Sequence, residues 1–151
     1  MQRGFTLIEV VVVIAVLGIL AGMALPALGN TLANRELENA AALIVAGLRK
    51  SQQESINTAP SKSSPSMYFD KSNPSRYYIT VNAKLTESVT LPRSVKFDYT
   101  PKDGVIFGIN GYPLKPATIT LSSKKTKKQK FVIIASTGRI RISDQSSKDS
   151  F

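Results

Sequence analysis

One carboxylate, Glu9, stands inside an otherwise uncharged apolar run from Phe5 to Leu28. In a membrane such a group costs about 2.5–3.5 kcal/mol on insertion scales, so it needs a purpose. Whatever the segment does, a partner for Glu9 is expected. Near the other end, Gly138-Arg139-Ile140-Arg141 suits phosphate contact. On a strand, residues two apart share a face, which puts Arg139 and Arg141 about 6.7 Å apart, with Ile140 and Ile142 turned to the core. Each guanidinium offers a planar fork to an oxyanion. A third feature is Lys124, Lys125, Lys127, Lys128 and Lys130, within Ser-Ser-Lys-Lys-Thr-Lys-Lys-Gln-Lys. Between two strands it reads as a hairpin tip with a strong positive potential. Phosphates bound there would release counterions, so binding would fall with salt. Plainer readings stand beside these. A charge run in a loop is usually just solvated, and exposed lysines protect sheet edges. By spacing alone, both arginines are ordinary solvent-face residues.

Catalysis is tested by subtraction. The chain has no histidine and no cysteine. That removes the commonest general base, the commonest metal ligand and any disulfide or thiolate site. There is no Gly-rich phosphate loop with Lys-Ser/Thr and no tight acidic cluster. Asp98 and Asp103 flank a turn, where Asp is favoured for its backbone hydrogen bonds. The expectation is a non-enzyme with no cofactor and no metal. The formal charge is +10, and with Arg3 and Glu9 set aside 19 basic residues face 9 acidic ones. The excess therefore sits outside the apolar segment and suits anionic partners such as nucleic acid, acidic polymers or lipid headgroups, with ordinary solubility charge as the plain alternative.

These groups need elements to position them. As a helix, Phe5–Leu28 is about 36 Å long, enough to cross a hydrocarbon core of about 30 Å. After Gly29-Asn30 the pattern turns amphipathic. Leu37, Ala41, Ile44 and Leu48 keep one helical face, and Arg35, Glu36, Glu38, Arg49 and Gln52 fall on others. This reads as the same helix laying an apolar stripe on a head domain over 29–57, ended by Asn57 and Pro60. Pro26, Gly18, Gly22 and Gly29 mark possible kinks.

Asn57–Ser66 is a Ser/Pro-rich loop. Strand-like runs follow at Met67–Asp70, Tyr77–Val81, Val95–Tyr99, Val105–Phe107, Ala117–Ser122, Lys130–Ser136 and Arg139–Ser143. Turn signals separate them at Asn73-Pro74, Pro101-Lys102-Asp103-Gly104, Asn110-Gly111 and Thr137-Gly138. Ala117, Ile119 and Leu121 alternate with Thr118, Thr120 and Ser122, which predicts one buried face and one wet face. Phe131 to Ala135 is apolar on both faces and reads as a central strand. The fold class is α+β: one long N-terminal helix packed on a C-terminal antiparallel β-sheet head over 58–143, with a polar, frayed tail at 144–151.

Three readings of the apolar segment compete. A cleaved signal peptide would use Met23-Ala24-Leu25-Pro26-Ala27 as a poor cleavage site, with a very short basic leader and an acid in its apolar region. A plain membrane anchor leaves Glu9 unexplained. The third rests on Gly4-Phe5-Thr6-Leu7-Ile8-Glu9, a β-branched and Leu-rich run, and then Pro26. This pattern closely resembles the class III leader of type IV pilins and pseudopilins. The resemblance implies a leader of residues 1–4, cleavage between Gly4 and Phe5 by a prepilin peptidase, and N-methylation of Phe5. It implies that Glu9 pairs with the new amine of an adjacent subunit during assembly. It also implies partners: other pilin or pseudopilin subunits and an inner-membrane assembly platform. The expected localisation is a single pass through the inner or cytoplasmic membrane with the head outside the cytoplasm, then a pilus or pseudopilus. Arg3 on the leader agrees with that orientation.

The end of the head is similar to the FimT/GspH group of minor pilins: a long apolar strand, then Thr-Gly-Arg-Ile-Arg. In FimT-like members a C-terminal Gly-Arg-x-Arg motif contributes to DNA binding in natural transformation. Here it falls on Gly138, Arg139 and Arg141, with the lysine tip adding sequence-independent attraction. GspH-like members serve type II secretion instead, priming or capping a pseudopilus without DNA binding. Both functions stay open at this point.

Overall fold

The computed structural model describes residues 6–57 and 64–146, and within them the side chains of all but 24–27. Gly4 and Phe5, most of the Ser/Pro-rich loop with Pro60, and the end of the tail lie outside the described residues. The chain divides into two compact units, Met1–Leu32 and Ala33–Phe151. A single helix, α1, is continuous over Leu7–Asn57, ending where the sequence predicts.

In the first unit every described side chain from Thr6 to Met23 is exposed. Leu7 is 84% exposed and Ile8 70%. Apolar side chains left this open need lipid or partner helices around them. The helix is long and apolar enough to cross a membrane.

In the second unit α1 has one buried stripe. Leu37, Ala41, Ile44 and Leu48 are all fully buried, as their spacing predicts, and Ala33, Ala40, Val45, Ser51 and Ser55 join them. Several of these are small, so strands approach the helix closely. Gly47 is the extreme case: a Cβ there would sit 2.9 Å from Cε of Met67. Glycine inside a helix costs about 1 kcal/mol relative to alanine, and here it makes room for the sheet.

Eight strands follow: β1 Ser66–Phe69, β2 Arg76–Val81, β3 Lys84–Thr90, β4 Val95–Tyr99, β5 Val105–Ile106, β6 Ala117–Ser123, β7 Gln129–Ile134 and β8 Ile140–Ser143. They form two four-stranded sheets, ordered β3-β2-β1-β5 and β4-β6-β7-β8, with every pairing antiparallel. Leu37, Ile44 and Leu48 share one core with Met67, Tyr77 and Ile79 of the first sheet and Phe97, Ile119, Leu121, Val132 and Ile134 of the second. Phe69 and Phe97 bridge the sheets edge to face, with ring centroids 5.0 Å apart. The architecture is the α+β arrangement of a type IV pilin: a long N-terminal helix and antiparallel sheets after it.

Seven strands match the sequence reading to within a few residues. The eighth, β3, was not expected. Its turn, Asn82-Ala83, has both residues at positive φ (54° and 59°), the geometry of a tight two-residue hairpin. Alanine stands where glycine would have given the signal. Lys84-Leu-Thr-Glu-Ser-Val-Thr is also polar, because β3 is an edge strand with mostly exposed side chains.

The wet face expected of β6 is likewise absent: Thr120 and Ser122 are buried. β6 lies between β4 and β7, and cross-strand partners share a face. Thr120 is flanked by Tyr99 and Phe131, and Ser122 by Lys96 and Gln129. Four large side chains shade two small hydroxyl residues. β7 is central, as expected, with Val132, Ile133 and Ile134 buried.

Gly104 ends the predicted turn after β4. Its φ is +73°, and a Cβ would lie 2.4 Å from the carbonyl oxygen of Met67. Gly104→Ala is expected to destabilise the head by about 3 kcal/mol, the upper end for left-handed strain, because backbone blocks the added carbon. Gly108→Ala, whose Cβ would meet nothing closer than 3.7 Å, should stay within about 1 kcal/mol. Thermal unfolding of the detergent-solubilised chain measures both, and equal melting points would refute the strain argument.

Candidate functional site

Glu9 lies in the first turn of α1, not deep within the helix. Its backbone N–H donates to the carbonyl of Thr6 at 3.1 Å, with the Thr6 hydroxyl oxygen at 3.4 Å. Thr6 is therefore the cap, and Thr6-x-x-Glu9 has the spacing of a capping box. A carboxylate in the first turn also complements the helix dipole. Glu9 thus has a local structural role besides any partner, a role the sequence spacing carried and the reading above did not use.

The lysine tip is the β6–β7 hairpin loop. Ser123 N–H donates to Lys128 O, and Lys127 N–H to Ser123 O, with Lys127 at φ 55°. Lys124, Lys125, Lys127 and Lys128 are exposed. Lys130 is not part of this group. It shares the helix-facing side of β7 with Val132 and Ile134, opposite Leu121. Its ammonium lies 2.6 Å from Asp144 and 3.7 Å from Glu38 on α1. The hydrogen bond to Asp144 holds its pKa above the ordinary lysine value. Two carboxylates already occupy this charge. Strand parity explains the difference: residues 130, 132 and 134 point one way, and the tip residues have left the strand. Asp144 itself opens the segment read as a polar tail.

The tip is tied down at two places. The Lys124 backbone N–H donates to Ser94 O at 2.7 Å, and its ammonium to Arg93 O at 2.8 Å. The Thr126 hydroxyl donates to the side-chain oxygen of Asn34 on α1 at 3.0 Å. Ser94 in turn donates its hydroxyl to Glu36. The β3–β4 loop, the tip and the Asn34–Glu36 turn of the helix therefore form one contiguous corner.

Arg139 and Arg141 are both exposed, as expected, but β8 begins only at Ile140. Arg139 closes the preceding turn, where Gly138 N–H donates to Ala135 O and Ala135 N–H to Arg139 O. Ile140 packs against the core. Ile142 shares its face but is 43% exposed, contrary to the core placement expected, because β8 is an edge strand with cover on one side only. Gly138 has φ +79°, and a Cβ would lie 2.9 Å from Nε2 of Gln52. That amide donates to two carbonyls, Gly111 O at 2.8 Å and Gly138 O at 3.0 Å. Gln52 was placed on a polar face by its spacing. It instead clamps two glycine turns to the helix.

Asp98 and Asp103 do not make a carboxylate pair. Asp98 lies 2.9 Å from the ammonium of Lys96, and Asp103 lies 3.9 Å from that of Lys115. Each carboxylate is matched to its own lysine.

Residues 1–25 match the family model for the prokaryotic N-terminal methylation motif. This is the N-terminus of a type IV pilin-like prepilin. The motif implies processing by a prepilin peptidase and assembly with other pilins, and the exposed apolar helix fits a single-pass anchor of that family. The chain matches no curated protein and no solved structure.

In this prepilin the two basic features lie apart. Arg141 pairs with Ile133, four residues or about 13 Å along β7 from Gln129, and the lysine tip lies beyond that end of the strand. The Arg139 turn is held at Gln52 and the lysine tip at Asn34, eighteen residues or about 27 Å apart along α1. One small ligand cannot bridge them. Replacing Gln52 by Leu keeps the volume but orphans both carbonyls. The expected loss is about 1–3 kcal/mol, read as a lower melting temperature. An unchanged melting temperature would show that water replaces the amide.

Proposed function

We propose that the prepilin is a FimT-like minor pilin that assembles into a fibre and captures DNA through Arg139 and Arg141. What supports the DNA reading is the exposure of Arg139, in the turn before β8, and of Arg141, on that edge strand, at the end of the head held by Gln52. Two guanidinium forks there suit two successive phosphates and read no base edges, so binding is sequence-independent. The lysine tip is not needed for this contact. Gly138 serves it indirectly, by letting the turn before Arg139 close. In a GspH-like structural role the same edge would be incidental.

Glu9 is the assembly residue in this reading. Cleavage after Gly4 gives Phe5 a charged amine, and Glu9 of a neighbouring subunit pairs with it in a water-poor bundle. Glu9→Ala should leave insertion and leader cleavage intact but impair recovery in sheared fibres. Normal fibre recovery of this variant would overturn the pairing.

For DNA, full-length protein in zwitterionic detergent should bind a random duplex with a log–log salt slope of about −1.8, two phosphates' worth. That slope corresponds to roughly a twelve-fold loss of affinity between 50 and 200 mM salt. Arg139→Ala/Arg141→Ala should abolish most binding. Absence of binding at low salt, with normal fibre incorporation, would leave the structural pseudopilin role. A slope near about −5 would bring the lysine tip into the DNA contact as well.

A further inference from the structure

The corner at Asn34 gathers five basic residues that none of the ion pairs described above engages. Arg93, Lys124, Lys125, Lys127 and Lys128 are all exposed there. Two of the nearby acids are matched to other lysines, and Glu36 keeps its charge at the helix side of the corner. Glu36 accepts the Ser94 hydroxyl, Glu38 faces Lys130, and Asp98 pairs with Lys96. The Lys124 ammonium donates to a neutral carbonyl, which leaves its charge intact.

Its place along the chain matters as much as its charge. Asn34 stands only six positions after Leu28, the last residue of the apolar run. At helical rise they span about 9 Å, and even fully extended they reach no more than about 21 Å. The polar layer of a bilayer is about 5–8 Å deep on each side of its hydrocarbon core. The tip's tether to the Asn34 side chain thus ties the lysines to the residues that leave the membrane.

We propose that this corner is a docking surface for anionic phospholipid headgroups, engaged by Arg93, Lys124, Lys125, Lys127 and Lys128 while the chain is membrane-anchored. The proposal rests on the anchor reading of α1 and not on the DNA reading of Arg139 and Arg141. Lipid fits better than DNA here. A bilayer presents phosphates continuously at this depth, whereas a duplex would have to enter between the head and a surface of its own charge. Basic side chains near an anionic leaflet are attracted individually, and the attraction fades within a Debye length of about 8 Å at physiological salt. The corner's short, doubly tied loops hold the charges in place without a separate ordering step. Such contacts would keep the head against the membrane until the subunit is drawn into a fibre.

The test uses full-length protein in vesicles of phosphatidylcholine, with or without phosphatidylglycerol. Lysines are acetylated briefly and quantified residue by residue. Lys84 and Lys102, both exposed, serve as internal references; Lys84 stands at the far end of β3, about 20 Å from Thr90. With anionic lipid, Lys124, Lys125, Lys127 and Lys128 should react at least about three-fold more slowly, and 1 M salt should restore their rates. The reference lysines should not change. Equal rates in both vesicles, or equal slowing of every lysine, would overturn the proposal. So would protection of the tip by added duplex DNA but not by anionic lipid. Protein extractable by carbonate would overturn the anchor reading and this proposal with it, while leaving the Arg139/Arg141 test untouched.

Discussion

The head depends on burying one stripe of one helix. Leu37, Ala41, Ile44 and Leu48 are fully enclosed by residues from both sheets. Leu91 and Phe107, from outside the strands, complete the same core. The strands are short and the crossings between sheets few, so helix and sheets are stable only together. Small residues along the stripe set the distance. Ala40, Ala41, Gly47, Ser51 and Ser55 let the strands come close, and larger residues there would push them off.

Polar residues on the flanks of that stripe fix the loops. Glu36 holds the β3–β4 loop through Ser94, Asn34 holds the lysine tip through Thr126, and Gln52 holds two glycine turns. Lys50 and Glu87 add an exposed pair at 2.6 Å. Exposed pairs contribute little, about 0–1 kcal/mol. The Gln52 amide matters more, because both of its donors are used on half-buried carbonyls. The helix therefore acts as a ruler: the residue that anchors a loop decides how far along the head its charge stands.

This ruler sorts the basic residues. The net charge of +10 suggested one broad anionic partner. Along α1 part of that charge separates into a corner at Asn34, an edge at Gln52 and a neutralised lysine between them. Lys130 looks like its neighbours in a Lys-rich run, yet it faces the helix and meets two carboxylates. Position on a strand, not membership of a run, decides whether a cation is available.

Much of this was legible from residue order alone. Gly4-Phe5 with Glu9 marked a prepilin-type N-terminus, in line with the motif matched over residues 1–25, because such a motif is a matter of residue types at fixed spacing within a local segment. The stripe from Leu37 to Leu48 and seven of the strands were legible for the same reason: helical and strand periodicity are short-range. Tertiary structure alone decided the rest. β3 exists because β2 gives it a partner across a turn without glycine. Thr120 and Ser122 are buried because Tyr99, Phe131, Lys96 and Gln129 lie beside them. Gln52 meets Gly111 and Gly138 across 59 and 86 residues of chain. No local pattern encodes such meetings, since they depend on where two distant segments cross the same helix.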